Sequence, residues 1–273
     1  MPLYIVGTPI GNLKDITIRA IEILAQSDLI LCESREKAIV LLNKYNIRAN
    51  NIITFREENK KRITPQIISE LKENKNVSLI SDAGMPSISD PGMYLIDEVH
   101  RNFIEIRCIP GPVAFASAIA VSGFTGRESV FLGFVPRNKN EIREIINFYR
   151  GRGTLIVFYE SPKRIIGTMK IISEEDPQAD ILIAREITKL YEEYIRGKPE
   201  HIIMELSKRE VKGEITVVIK PSQRKESNTY DWRLVQIMLD EGIRTKEIAN
   251  IISRYFGVPS RSVYNDIIKG KDH

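Results

Sequence analysis

Residues 77–99 read VSLISDAGMPSISDPGMYLIDEV. A short apolar run, VSLI, gives way at Ser81 to twelve residues holding three Ser, two Asp, two Gly and two Pro. That insert is too polar for a core and too rich in turn formers for a strand or helix. MYLIDEV then resumes an amphipathic, helix-like pattern. Strand, Gly/Pro loop and helix in this order suggest a βα unit, with the loop at the carboxyl end of a buried strand.

The same rhythm extends through the first half. LYIVG at 3–7, DLILC at 28–32 and IEIRCI at 104–109 read as further buried strands. Helical periodicity covers 15–26, 35–45 and 63–74, the last with Thr64–Pro65 as a helix start. The alternation predicts a mainly parallel α/β sheet. A second set of strands follows at 129–134, 154–159, 180–184 and 214–219, with helices at 139–150, 161–174 and 199–208. The boundary between the two falls near Gly123–Gly126, so the expected organisation is 1–122, 123–221 and a tail, 222–273. The tail opens with a polar linker, SQRKESNT. It continues as three short helices over 230–269, with Gly242 and Gly257 as C-caps and Thr245 and Ser260 as N-caps.

The chain has 273 residues, 42% of them hydrophobic. No apolar run approaches the roughly 18 residues of a membrane span, and Met1–Gly7 leads straight into a strand, so the expectation is a cytoplasmic protein without a signal peptide. Cys32 and Cys108 lie among apolar residues and read as buried free thiols. His100, His201 and His273 are far apart and make no metal-ligand spacing with them, so no metal is expected. The net charge of +4 is weakly basic. Residues 134–153 concentrate five basic against two acidic side chains, which fits a phosphate-facing patch or a solvated helix face.

Three loops at strand carboxyl ends share the Gly/Pro character: GTPIGN at 7–12, SDAGMPSISDPG at 81–92 and PGPVAFASA at 110–118. Ligands of open α/β sheets bind at such ends. One loop would be an ordinary turn, while three suggest a shared site. Pro9 stands where a dinucleotide fingerprint needs Gly, and the chain has no P-loop and no GxSxG. Nucleotide hydrolysis and esterase chemistry lack support.

LYIVGTPIGNLKDIT, SDAGMPSISDPG, IPGPVAFASAIAVSG, FLGFVPR, IVFYESPKRI, AREITKLYEE and GEITVVI occur in this order. Over roughly residues 3–220, and in the tail, the chain resembles the bacterial 16S rRNA (cytidine-2′-O)-methyltransferase I family of the tetrapyrrole-methylase superfamily. The resemblance implies two α/β domains with S-adenosylmethionine in the cleft between them, and a small helix-turn-helix-like C-terminal module. It implies a homodimer that methylates a cytidine ribose 2′-hydroxyl in the decoding region of 16S rRNA, in the context of the small ribosomal subunit. On that basis Gly7, Thr8, Pro9, Asp82, Ala83, Gly84, Pro110 and Gly111 form the cofactor site. Asp90 either contacts the cofactor or caps the next helix.

The family's Glu-Asp-Thr-Arg is here Glu33-Ser34-Arg35-Glu36, and its His after FYESP is Lys163. Arg35 would then supply a displaced guanidinium. Methyl transfer from a sulfonium needs alignment and removal of the hydroxyl proton, not a metal. The candidates are Glu33, Glu160, Lys163, Arg185 and Glu186, with Arg137, Arg164, Lys189, Arg244 and Arg261 facing RNA, and Lys246, Arg254 and Lys269 as further tail cations. The structural alternatives are that Glu160 caps the helix near Ser161 and that Arg185 pairs with Glu186. Two other readings remain: the same fold acting on a small molecule such as a corrin precursor, or a non-enzymatic ligand sensor that uses the tail on nucleic acid.

Overall fold

A computed structural model describes residues 1–49, 51–223 and 230–270. The chain divides into two compact units, Met1–Ser222 and Gln223–His273.

The first unit contains two five-stranded sheets. Strands β1 (Leu3–Val6), β2 (Leu29–Cys32), β3 (Ile52–Thr54), β4 (Val77–Leu79) and β5 (Ile106–Ile109) pair in the order β3-β2-β4-β1-β5, all parallel. Helices α1 (Ile18–Ala25), α2 (Arg35–Lys44), α3 (Lys60–Lys72) and α4 (Met93–Arg101) cross between them. Apolar cores lie on both faces. One gathers Leu3, Leu29, Phe55, Ile67 and Leu95, the other Val6, Ala20, Leu24, Ile30 and Leu42. That two-sided burial is why these strands read as continuous apolar runs rather than alternating ones.

The second sheet has β6 (Glu128–Phe134), β7 (Thr154–Glu160), β8 (Asp180–Arg185), β9 (Glu193–Gly197) and β10 (Ile215–Lys220), in the order β6-β7-β10-β8-β9. Only β6 and β7 pair in parallel. The other three pairings are antiparallel. Helices α6 (Lys139–Tyr149), α7 (Ile165–Glu175) and α8 (Pro199–Ser207) cover one face around Phe158, Met169 and Ile183. The other face receives α5 (Ala114–Ser122). Ala118 and Ile10 share a core with Val157, Leu182 and Val218, and Phe115 stacks on Phe131 with ring centroids 4.3 Å apart. The second unit contains α9 (Trp232–Asp240), α10 (Thr245–Phe256) and α11 (Ser260–Gly270), packed through Val235, Ile248, Ile252, Val263 and Ile267.

Several details depart from the sequence reading. Strands β3 and β9 are additional. Both are edge strands in which no residue is fully buried. Cys32 is buried, and burial pushes its thiol up to about 11. Cys108 is exposed, because edge strand β5 leaves positions 107 and 108 uncovered. Helix α3 begins at Lys60, a turn before Thr64, with Pro65 inside it. The chain is already turned at Asn59, whose Oδ1 accepts from the Arg56 N–H and whose side-chain amide donates to the Thr54 carbonyl. Pro65 then removes a single backbone donor early in the helix. Helix α10 is capped by Arg244 rather than Thr245, and α11 begins at Ser260 itself, with the Pro259 carbonyl accepting from Ser262 and Val263. Gly242 and Gly257 take the left-handed conformations expected of helix ends. The linker 224–229, the Lys269 side chain and His273 lie outside the described residues.

At the carboxyl ends of β1 and β5, Gly7 and Gly111 meet backbone to backbone. A Cβ on Gly7 would lie 2.6 Å from the Gly111 Cα and N, and one on Gly111 would lie 2.7 Å from the Gly7 Cα. The Gly7 backbone is held at the end of the parallel β1–β5 pair, its N–H bonded to the Ile109 carbonyl at 2.9 Å. Gly7→Ala is therefore expected to destabilise the first unit by about 2 kcal/mol. Gly167→Ala is the contrast: Gly167 lies within α7 with nothing within 4 Å of its added Cβ, so Ala should stabilise by about 0.5–1 kcal/mol. Urea denaturation of the two variants beside the parent checks both signs.

Candidate active site

The three Gly/Pro loops are held together by main-chain hydrogen bonds. The Gly7 N–H donates to the Ile109 carbonyl (2.9 Å). Thr8 and Gly84 exchange two bonds, Thr8 N–H to Gly84 O at 2.9 Å and Gly84 N–H to Thr8 O at 3.1 Å. The Thr8 hydroxyl donates to Ser81 O at 3.1 Å. Gly84 has φ +83°, a conformation that a side chain would strain.

Two cavities open on this junction, of about 370 Å³ and 380 Å³, within the range of small-molecule sites. The first lies between Ile10, Ala83–Met85 and Ile88–Asp90 on one side and Phe134, Tyr159–Pro162 and Gly213–Thr216 on the other. Its wall is largely apolar. The second is more polar, with Thr8, Pro9, Ser34, Glu36, Lys37, Asp82, Lys189 and Glu214 around it. Ala83 borders both. Thr8, Pro9 and Asp82 face only the second, and Gly84 only the first. Gly7, Pro110 and Gly111 line neither cavity. Their loop reaches the first through Val113 and Ala114.

Most charged candidates are committed to protein partners. Asp82 accepts the Ser34 N–H at 3.0 Å and pairs with Lys37 at 2.9 Å, tying the β4 loop to the start of α2. Ser34 is the N-cap of α2, and Arg35 donates to the Ile52 carbonyl at 2.6 Å. The Arg35 guanidinium is thus turned toward β3. Glu33 is half-buried, and its carbonyl accepts from Arg56.

Glu160, with its side chain 1% exposed, does not cap a helix at Ser161, because α7 begins only at Ile165. Its Oε1 accepts the Ser161 N–H at 2.7 Å, and its Oε2 accepts the Thr168 hydroxyl at 2.7 Å with Arg164 at 3.4 Å. Arg164 also donates to Pro136 O at 2.6 Å. The FYESP turn is thereby bolted to the end of β6, while Lys163 points into solvent.

Arg185 pairs with Glu193, not Glu186, at 2.9 Å, and donates to Lys212 O at 3.0 Å. Arg209 also reaches Glu193. Glu186 accepts from Lys189 and from the Glu214 N–H at 2.9 and 2.8 Å. Burial alone would raise its carboxyl, but these two donors hold it below the usual range. Lys189 bridges Glu186 to Glu214 (2.9 Å).

In the basic 134–153 segment, Arg143 pairs with Glu174 and Glu175, Arg150 with Asp176, and Arg152 lies over Phe148. Arg137 and Lys139 are exposed, as are Arg244, Lys246, Arg254 and Arg261 in the second unit. Among the described residues there is no group of acids, His or Cys able to hold a metal, and no helix long and apolar enough to cross a membrane.

The sequence did not single out Phe134, and it left Asp90 as either a cofactor contact or a helix cap. Phe134 is 65% exposed on the first cavity and packs edge-on against Tyr159, 5.7 Å between centroids. Asp90 is not a helix cap, since α4 begins at Met93 behind Gly92 with no side-chain cap. It lines the first cavity with its carboxyl pushed up to about 6. Burial is the main cause, the Glu33 charge comes next, and a hydrogen bond with Ser81 opposes them. Only the loop's closure against Glu33 makes this visible.

Residues 2–203 match the Tetrapyrrole (Corrin/Porphyrin) Methylases family. Cobalt precorrin-4 methyltransferase, a cobalamin biosynthetic enzyme, shares the fold with a TM-score of 0.58 at 14% identity, covering 80% of this chain and 94% of that one. The two sheets of the first unit thus have the tetrapyrrole-methylase fold. Ribosomal RNA small subunit methyltransferase I of Thermotoga maritima is 48% identical over 217 residues, 80% of this chain and 97% of that protein. The protein of the same name from Halalkalibacterium halodurans is 34% identical over 270 residues, 96% and 93% of the two chains. The chain belongs to the ribosomal RNA small subunit methyltransferase I family.

The Glu160 network makes a stability prediction. Glu160→Ala strands the Thr168 hydroxyl, the Ser161 N–H and one face of Arg164, and should cost about 3 kcal/mol. Glu160→Gln keeps the acceptor and should cost clearly less. Thermal and urea unfolding of both variants test the order.

Proposed function

We propose that this chain transfers a methyl group from S-adenosylmethionine to the ribose 2′-hydroxyl of a cytidine in the decoding region of 16S rRNA. The observation that carries the reading is the match to ribosomal RNA small subunit methyltransferase I of T. maritima over 97% of that protein's length. The precorrin enzyme speaks for fold alone at 14% identity, so a corrin-like acceptor has no comparable support.

The junction of the three loops fits a polar, nucleoside-bearing cofactor. Ala83 and Gly84 present main chain to the first cavity, and a Cβ on Gly84 would approach Ile10 and Pro112 O at 3.3 and 3.4 Å. Phe134 and Tyr159 supply an aromatic wall. When bound, the cofactor's sulfonium supplies an activated methyl group. Thr8, Pro9, Asp82, Ala83 and Gly84 then hold it, while Gly7, Pro110 and Gly111 set the loops that do so. Glu160 and Arg185 act as positioning residues, through the FYESP turn and through β8. Arg137, Lys163 and the tail cations Arg244 and Arg261 then meet RNA phosphates, a role supported by the exposure of each. We place the enzyme in the cytoplasm as a homodimer of chains with domains 1–122 and 123–221 and tail 222–273, acting on the small ribosomal subunit.

Incubating the protein with methyl-labelled S-adenosylmethionine and unmethylated small subunits, then mapping the label, tests the acceptor. Label at one cytidine 2′-oxygen is expected. Label on base nitrogen or carbon, or no label on the RNA, would overturn the reading.

Cofactor binding is checked separately by calorimetry in the presence of chelator. Binding should persist, and Gly84→Val should weaken it at least tenfold, because φ +83° and the cavity wall both exclude a branched side chain.

A further inference from the structure

Strand β6 changes phase near its end. Val130 and Leu132 pack against the core under α6, α7 and α8, while Phe131 points to the opposite face and stacks on Phe115. Strict alternation would carry Val135 to the Phe131 face and Phe134 into the helix-covered core. The pairing with β7 slips instead. Phe131 lies opposite Val157 and Phe134 opposite Tyr159, so β6 accommodates one extra residue, with Gly133 at φ +66° inside the irregularity. Glycine adopts that conformation without strain. Val135 therefore turns into the helix-covered core, and Phe134 joins Phe131 on the face of Tyr159. Bulges re-aim side chains in this way, often beside an active site.

The bulge turns an apolar ring outward. Phe134 belongs to neither core of the second sheet, is 65% exposed and lines the first cavity. Burying a phenyl ring would stabilise the fold by about 1.5–3 kcal/mol, and the bulge forgoes most of that. The ring contact of Phe134 among the described residues is the edge-on one with Tyr159, which leaves a face of the ring open. Met85 and Ile88 stand across the cavity, the latter also exposed. The backbone that carries the ring is pinned. The Val135 N–H donates to the Tyr159 carbonyl at 3.1 Å, and Arg164 donates to the Pro136 carbonyl at 2.6 Å. Arg137, next in the chain, is exposed.

Resting on the RNA-methylating reading above, we infer that Phe134 is the platform on which the base of the acceptor nucleotide stacks. Bases recognised in RNA are mostly splayed out of their own stack and received on an aromatic ring. A fixed aromatic face with a cation nearby suits a single strand, because the base takes the ring and a flanking phosphate takes the guanidinium. A ring enclosed by the cavity would serve the cofactor. One that is mostly exposed meets a ligand arriving from solvent.

The test compares the full-length protein with its Phe134→Ala, Phe134→Leu and Phe134→Trp variants. Each is assayed for methyl transfer over a range of concentrations of unmethylated small subunits, for S-adenosylmethionine affinity by calorimetry, and for melting temperature. One base–aromatic stack is worth about 1–3 kcal/mol, so Phe134→Ala should lower kcat/KM for the subunit by about 5- to 150-fold, with cofactor affinity within about threefold of the parent. Its melting temperature should stay close to the parent's, since the ring is exposed. Phe134→Leu keeps apolar bulk without a π face and should remain impaired, whereas Phe134→Trp should return to within about threefold of the parent. A Phe134→Ala loss smaller than about fivefold overturns the inference, as does a loss that follows weakened cofactor binding. A Phe134→Leu variant as active as Phe134→Trp also overturns it, and that comparison decides alone if Phe134→Ala fails to fold. A parent that transfers methyl to no RNA overturns the functional reading and this inference together, which separates that failure from an active parent with an equally active Phe134→Ala.

Discussion

The contact of Gly7 with Gly111 sets the geometry of the whole cleft. Two parallel strands deliver their carboxyl ends so close together that no Cβ fits on either residue. The Thr8–Gly84 bridge then brings the long β4 loop to the same point. Because all three anchors are main chain, the loops are free to carry quite different side chains. The apolar wall at Met85 and Ile88, the Asp82 staple and the Asp90 carboxyl all follow from one backbone junction.

The second sheet meets that junction through a different kind of contact. Helix α5 leaves the PGPV loop and buries Ala118 and Phe115 on β7, β8 and β10, and Ile10 joins the same core. The Asn12 N–H reaches the Thr188 hydroxyl at 3.0 Å. The Gly/Pro loops are thus clamped between the two sheets rather than left on one edge. Apolar packing supplies the clamp and charged pairs set local orientation, as expected where ion pairs contribute specificity more than net stability. Glu160 with Arg164 and Arg185 with Glu193 both fit that pattern.

Much of this was legible in the chain. The strands of the first sheet stand out because burial on both faces makes them unbroken apolar runs. The long strands of the second sheet do so for the same reason. Strands β3 and β9 were not legible, because neither holds a fully buried residue and so neither forms an unbroken apolar run. The exposure of Cys108 was hidden for a related reason: its neighbours are apolar, but its strand has no partner on one side. The loops announced themselves through Gly and Pro, and their order along the chain carried the family resemblance.

What the sequence determined alone was therefore local and periodic: which segments bury both faces, where helices end at Gly242 and Gly257, and which loops need glycine. Only the tertiary structure decided the state of each charge. Arg185 and Glu186 are neighbours in the chain yet take different partners, Glu193 and Lys189, because a strand and a left-handed turn point them apart. Glu160 and Asp90 are both plain carboxylic acids in Pro-containing loops when read as letters. Folding surrounds the first with donors and sets the second beside Glu33. Proton affinity depends on distances to charges and on exclusion of water, and neither exists until strands remote in sequence are brought together.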